Sequence, residues 1–187
     1  MGRGFDSHGA YNMTFPLTTE RTIIRPLAPV DLTSFVSYRT DPEIARYQSW
    51  DTSYSVDQAT RLIESQQGIE LPAKDQWLQL AICNRVSSEL IGDLALHTLE
   101  EDDSYEIGFT ISKTHQGKGF AKEAASCLLN FLFHQVGATR IIASTDSRNY
   151  SSIKLLEALG FSQDPEESWQ EEFKNETVTV LFFEMIR

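Results

Sequence analysis

The segment 105–125, YEIGFTISKTHQGKGFAKEAA, holds the residues best suited to chemistry. Gly117 and Gly119 allow the backbone to turn tightly and to approach a ligand without a Cβ in the way. The amides of a following helix would point into this loop, and its dipole favours negative charge there. Three lysines, Lys113, Lys118 and Lys122, are concentrated in this segment with His115 beside them, although the chain carries a formal net charge of −11. The segment therefore predicts a phosphate site, with a solvated glycine turn as the alternative.

The hydrophobic periodicity places this loop between a strand and a helix. Apolar residues alternate over residues 105–111, which predicts a strand, and they recur at helical spacing from Ala121 to about Gln135. Residues 140–145 form the next predicted strand. A strand–helix–strand order implies a right-handed crossover and parallel pairing. Ligands bind near the carboxyl ends of such strands, which is where the loop lies.

The remaining chain predicts one α/β (α+β) domain over residues 15–187, preceded by a polar leader at residues 1–14 that is disordered or artificial. Met13 would then be an alternative start. We expect residues 164–176 to form an acidic loop or a frayed excursion. The other predicted strands are residues 22–27, 76–83, 90–99 and 178–186, and the other predicted helices are residues 29–39, a short one from Pro42, 55–67 and 151–159.

Composition excludes several classes of function. With 27 acidic against 16 basic residues, the chain is unsuited to nucleic acid. It has no apolar run of about 20 residues for a membrane span and no signal-peptide core. Cys83 and Cys127 show no metal-ligand spacing, so we expect no metal site, buried thiols and a cytoplasmic protein.

Three motifs occur in order over residues 20–161. Residues 116–121, QGKGFA, fit the pattern Gln/Arg-x-x-Gly-x-Gly/Ala, which is neither a Walker loop nor a Rossmann fingerprint. Asn149 and Ser152 precede Gly160-Phe161 as Asn-x-x-Ser…Gly-Phe. The stretch ERTIIRPL at residues 20–27 is followed by Asp31 and by DPEI at residues 41–44. The combination resembles the GNAT N-acetyltransferase superfamily, and the branch that acetylates ribosomal-protein N-termini, the Rim type.

This resemblance implies a mixed, mostly antiparallel sheet of six or seven strands, flanked by helices and splayed between the strands at residues 105–112 and 140–145. Acetyl-CoA would lie in that gap. Its pantetheine arm would pair with the backbone of Phe109, Thr110 and Ile111 like an added strand, and Asn149 would bond to the same arm. Its pyrophosphate would bind the loop residues Gln116, Gly117, Lys118, Gly119, Phe120 and Ala121. Solvated lysines and a helix-capping Asn149 are the alternatives.

The implied reaction is direct attack of an amine on the thioester. Glu106, on the strand beside the cleft, is the candidate general base, acting directly or through water; a structural or substrate-orienting carboxylate is the alternative. A backbone N–H near Phe109 or Ile111 would polarise the carbonyl. Many family members have a tyrosine acid where this chain has Leu156. By resemblance to the Rim type, Ser152 would interact with the leaving sulfur, with Tyr150 as a second option.

Several alternatives remain. The acceptor would be a protein or peptide α-amine, or a small amine such as an aminoglycoside, a polyamine or an amino-acid derivative. The chain could instead be a non-catalytic acyl-CoA-binding module, or a nucleotide-phosphate-binding protein. His97 and Asp93 are weaker candidates for the acceptor side, and a homodimer is possible.

Overall fold

The computed structural model describes residues 15–187, so the predicted leader at residues 1–14 lies outside the described residues. The helices are α1 (Leu32–Arg39), α2 (Pro42–Ala45), α3 (Val56–Ser65), α4 (Phe120–Phe131) and α5 (Tyr150–Leu159). The strands are β1 (Leu17–Thr18), β2 (Thr22–Pro26), β3 (Gln76–Asn84), β4 (Leu90–Thr98), β5 (Ser104–Ile111), β6 (Arg140–Asp146), β7 (Ser162–Phe173) and β8 (Glu176–Ile186). Among these helices, none is long and apolar enough to cross a membrane.

The strands form one open sheet in the order β1-β2-β3-β4-β5-β6-β8-β7. Only β5 and β6 pair in parallel; the other neighbours are antiparallel. The predicted mixed, mostly antiparallel fold is confirmed. The described residues form eight strands, however, one more than the upper prediction of seven. The expected loop at residues 164–176 was wrong, because this acidic segment pairs with β8 through its backbone while most of its side chains stay in solvent.

Helices cover both faces of the sheet. Leu80 and Leu94 are fully buried on the face that packs against α4 and α5. Ala81 faces the opposite side, where Phe35 and Ile63 of α1 and α3 cover it. Because alternate residues of one strand enter different cores, the central strands are apolar on both faces rather than amphipathic.

Two helix starts are capped as the sequence predicts. The Asp41 carboxylate accepts a hydrogen bond from the Glu43 amide at 2.8 Å, before Pro42 opens α2. Ser55 and Gln58 form the reciprocal capping box of α3. These caps fix where the polypeptide turns onto the α1–α3 face of the sheet.

The sheet opens between β5 and β6. Their pairing covers three positions and ends at Glu106 opposite Ile142. Beyond that point β5 stays paired with β4 as far as Ile111, and β6 stays paired with β8 as far as Asp146. Both strands therefore continue in ordered form on either side of a gap in the middle of the sheet.

Candidate active site

The glycine loop joins β5 to α4 at the mouth of this gap. Gly117 and Gly119 have φ of +71° and +82°, a left-handed conformation that favours glycine. The backbone N–H groups of residues 117–122 have no hydrogen-bond partner among residues 15–187. Free amides at the start of a 12-residue helix favour an anion.

Side chains of the loop hold its shape from within. The Gln116 amide donates to the Ile111 carbonyl at 2.9 Å, and Ser112 Oγ lies 2.8 Å from His115 Nδ1. Lys118 Nζ donates to the Thr114 carbonyl at 2.7 Å. The ammonium group of Lys118 is thus directed to its own loop, so any contact of this residue with a ligand would come from its backbone amide.

A cavity of about 520 Å³ runs from this loop into the gap. Its lining includes ten of the eleven residues predicted to bind the cofactor: Phe109, Thr110, Ile111, Gln116, Gly117, Gly119, Phe120, Ala121, Asn149 and Ser152. Because these residues come from the loop, from β5 and from the start of α5, the loop and the strand edge belong to one continuous cleft. Lys118 and Glu106, the candidate general base, are not part of the lining.

The start of α5 forms the wall of the cleft on the β6 side. Asn149 caps this helix, because its side-chain oxygen accepts a hydrogen bond from the Ser152 amide at 3.3 Å. The Asn149 side-chain NH₂ group remains available as a donor. Ser152 lines the cleft, whereas Tyr150 is 71% exposed and outside the lining. Leu156 is buried in the core and has no proton to donate.

Glu106 occupies the last paired position of β5, where the gap begins. Its side chain is 23% exposed, and one carboxylate oxygen lies 3.5 Å from His97 Nδ1. Ser144 Oγ donates to the other oxygen at 3.4 Å across the gap. His97 stacks on Trp77 with ring centroids 4.5 Å apart. The structure thus brings His97 next to Glu106 at the point where the gap between β5 and β6 begins.

Asp93 belongs to a buried polar cluster instead. It accepts hydrogen bonds from the Tyr38 hydroxyl and the Gln79 amide, and it lies 3.5 Å from Arg39 Nη2. Burial, together with the Asp93 charge, raises the pKa of Tyr38 well above its ordinary value. The cluster lies between β4 and α1, opposite Thr110 in the sheet register. Its position supports a structural role for Asp93.

The Acetyltransferase (GNAT) domain family matches residues 21–162 of the chain. The chain belongs to the GNAT acetyltransferase family. It is accordingly an enzyme of the N-acetyltransferase type.

Similar proteins agree with this assignment. The uncharacterised N-acetyltransferase p20 of Bacillus licheniformis is 28% identical over 172 residues, which cover 91% of this chain and 96% of that protein. Two solved structures from Vibrio cholerae share the fold. One, assigned as a ribosomal-protein-serine acetyltransferase, has a TM-score of 0.75 at 19% identity and covers 92% of this chain and 98% of its own. The other, a spermidine N-acetyltransferase in complex with CoA and spermine, has a TM-score of 0.77 at 20% identity, with coverages of 90% and 96%.

In this GNAT domain α2 and the residues after it also line the cleft. Glu43, Ile44, Tyr47 and Gln48 line the cleft there, and Glu43 forms an ion pair with Lys113 at 2.8 Å. Sequence reasoning did not assign these residues to the site. The DPEI motif at residues 41–44 was the available signal for Glu43 and Ile44, because it was already part of the family resemblance. For Tyr47 the signal was a large aromatic residue on an irregular connector, which can line a pocket or seal the edge of a core.

Proposed function

We propose that the chain transfers the acetyl group of acetyl-CoA directly to a primary amine, the α-amine of a protein or peptide in the first instance. The observation that carries the proposal is the continuity of the cleft from the free amides of residues 117–122 to the open edge of β5. A diphosphate suits the first end, and an extended arm that contains amides suits the second. The family, with its named N-acetyltransferases, supports the same donor chemistry.

Glu106 is the proposed general base. The acceptor must lose a proton to become a nucleophile. A carboxylate at the point where the gap between β5 and β6 begins would lie beside a donor arm laid along β5. Ser144 Oγ, which donates at 3.4 Å, would orient this carboxylate, and His97 Nδ1 lies 3.5 Å from its other oxygen. The amine nitrogen then forms the new bond to the acetyl carbon, and the C–S bond breaks.

Two further groups would complete the reaction. A backbone N–H of β5 near Phe109 or Ile111 would stabilise the negative charge that develops on the carbonyl oxygen. Ser152, which lines the cleft at the start of α5, would donate a hydrogen bond to the leaving sulfur. Leu156 stands at the position where many family members have a tyrosine acid. It is buried in the core, which is consistent with a leaving group assisted by Ser152 and not by a tyrosine.

The Rim-type choice of acceptor rests on the sequence motifs and on the similar fold of the ribosomal-protein-serine acetyltransferase. A polyamine is the second candidate. It is favoured by the net charge of −11, which attracts cations, and the spermidine enzyme has the same fold. Both acceptor classes present a cationic amine that Glu106 could deprotonate.

A thiol-release assay with acetyl-CoA tests the proposal against peptides with free N-termini, polyamines and aminoglycosides. We expect Glu106→Gln to lower kcat by about 10²- to 10⁴-fold while the Kd of acetyl-CoA stays within about twofold. Glu184→Gln is the matched control, because Glu184 is a half-buried carboxylate in the same row of the sheet, paired with Arg140.

Each outcome separates the alternatives. Full activity of the Glu106 variant would reduce this carboxylate to a structural or orienting group. Binding of acetyl-CoA without turnover on any amine would favour the non-catalytic acyl-CoA-binding module. Preference for ATP or NAD over acetyl-CoA would reject the proposed donor.

A further inference from the structure

The turn between β1 and β2 reaches across to the first turn of α4. Arg21 Nε and Nη2 both lie 2.6 Å from Glu123 Oε2, and the Arg21 amide donates to Oε1 at 2.8 Å. Thr19 Oγ1 donates to the same oxygen at 2.6 Å. Partial burial alone would raise the pKa of Glu123, but these donors from Thr19 and Arg21 hold it below its ordinary value. The turn is therefore tied to the helix that carries the glycine loop.

Arg21 also contacts the loop itself. Its Nη1 donates to the Lys118 carbonyl at 2.9 Å, and its guanidinium lies 4.7 Å from the centroid of the Phe120 ring. A Cβ added to Gly119 would lie 3.4 Å from Nη2. One side chain thus touches three successive residues at the point where the loop becomes a helix.

These contacts fix the direction of a peptide group. In a planar trans peptide the C=O of one residue and the N–H of the next point in opposite directions. Because the Lys118 carbonyl accepts from Arg21, the Gly119 N–H is directed away from Arg21. Gly119 lines the cleft, and its N–H has no partner among residues 15–187. Arg21 therefore orients a free donor without being part of the cleft lining.

We propose that Arg21, anchored by Glu123, is a positioning residue for the diphosphate of the acyl donor and acts by holding the peptide group between Lys118 and Gly119. The proposal rests on the acetyl-CoA function proposed above. Arg21 is 44% exposed, so its ion pair adds little to the stability of the fold. Its effect should consequently be seen in donor binding rather than in folding.

The test compares two acyl donors in Arg21→Ala. Acetyl-CoA carries the diphosphate, whereas S-acetyl-N-acetylcysteamine carries the same thioester without it. We expect the KM for acetyl-CoA to rise by about tenfold with kcat within about twofold, as for loss of one charged hydrogen bond. The kcat/KM for the truncated donor should stay unchanged.

Arg85→Ala is the matched control. Arg85 is an exposed arginine that donates to the Thr19 carbonyl at 3.0 Å, so it contacts the same turn but makes none of the hydrogen bonds to the loop or to Glu123. This variant should use acetyl-CoA and S-acetyl-N-acetylcysteamine with the same KM and kcat as the unchanged enzyme. Glu123→Gln should reproduce part of the Arg21→Ala defect, because it weakens the anchor of the guanidinium.

An unchanged KM for acetyl-CoA in Arg21→Ala would overturn the proposal, and so would an equal loss with both donors, which would indicate a general structural role. If Arg21→Ala does not fold, Arg21→Lys replaces it. The single ammonium of lysine cannot bond to Lys118 and Glu123 with the same geometry, so the KM for acetyl-CoA should still rise. Failure of the unchanged enzyme to use acetyl-CoA at all would instead reject the underlying function.

Discussion

Replacing Gly92 by alanine tests how closely β4 and β5 approach each other next to the cleft. A Cβ at Gly92 would press on the backbone carbonyl of Thr110, and it would lie 2.8 Å from Ile111 Cδ1 and 3.0 Å from Ile111 Cα. Backbone atoms cannot turn aside as a flexible side chain can, so β5 itself must move. Overpacking costs about 1–3 kcal/mol, and because backbone is involved we expect the upper end, about 3 kcal/mol.

Thermal unfolding followed by circular dichroism measures this effect. For a chain of this length about 3 kcal/mol corresponds to a fall in Tm of roughly 6–12 °C. Thr110 and Ile111 also line the cleft, so the Kd of acetyl-CoA should rise in the folded variant.

Gly108→Ala is the matched control on the adjacent strand. A Cβ there would meet only the Ala95 Cβ at 3.5 Å, an ordinary contact. Its stability should change by no more than about 1 kcal/mol. Equal Tm values for the two variants would refute the close approach at Gly92.

Four further predictions concern the core, a buried donor, pH and the leaving group. Leu128→Ala removes a fully buried side chain of α4 and should lower the free energy of unfolding by about 2–5 kcal/mol in urea titrations. Tyr38→Phe leaves buried Asp93 without one donor and should cost about 1–3 kcal/mol, again measured in urea. Hydrogen bonds lower the pKa of Glu123 despite its partial burial. The stability that the folded state gains from this carboxylate is therefore fully present above its ordinary pKa of 4.5, and it is lost as the pH falls through the lowered pKa. The difference in stability between the unchanged chain and Glu123→Gln should therefore shrink over that pH range. Ser152→Ala should lower kcat without changing the Kd of acetyl-CoA, and an unchanged kcat would remove this serine from the reaction.

The features that were predictable from the sequence depend on local signals. Asp41 before a proline and the pair Ser55/Gln58 each fix a helix start within four residues, and the structure has both caps. The glycine loop is recognisable for the same reason, because left-handed φ at Gly117 and Gly119 is a local requirement. The apolar alternation of β5 likewise sets its position without reference to distant residues.

The features that were missed depend on contacts between distant residues or on an edge of the sheet. Arg21 and Glu123 are 102 residues apart, and neither shows a spacing that announces the pair. The segment 162–173 has no apolar face, since it is the outer strand and gains its order from backbone pairing with β8. The Tyr38–Asp93 hydrogen bond similarly joins residues 55 positions apart.

The gap between β5 and β6 links the proposed donor site to the proposed base. β4 holds β5 as far as Ile111, so the edge of β5 that faces the gap is ordered although β6 pairs with it only as far as Glu106. Backbone groups left unpaired at such an edge favour an extended ligand that contains amides. Pairing ends at Glu106, so a donor arm laid along β5 from the glycine loop would run toward this carboxylate. The point at which β5 and β6 stop pairing would then provide both the edge that binds the donor arm and the position of the proposed base.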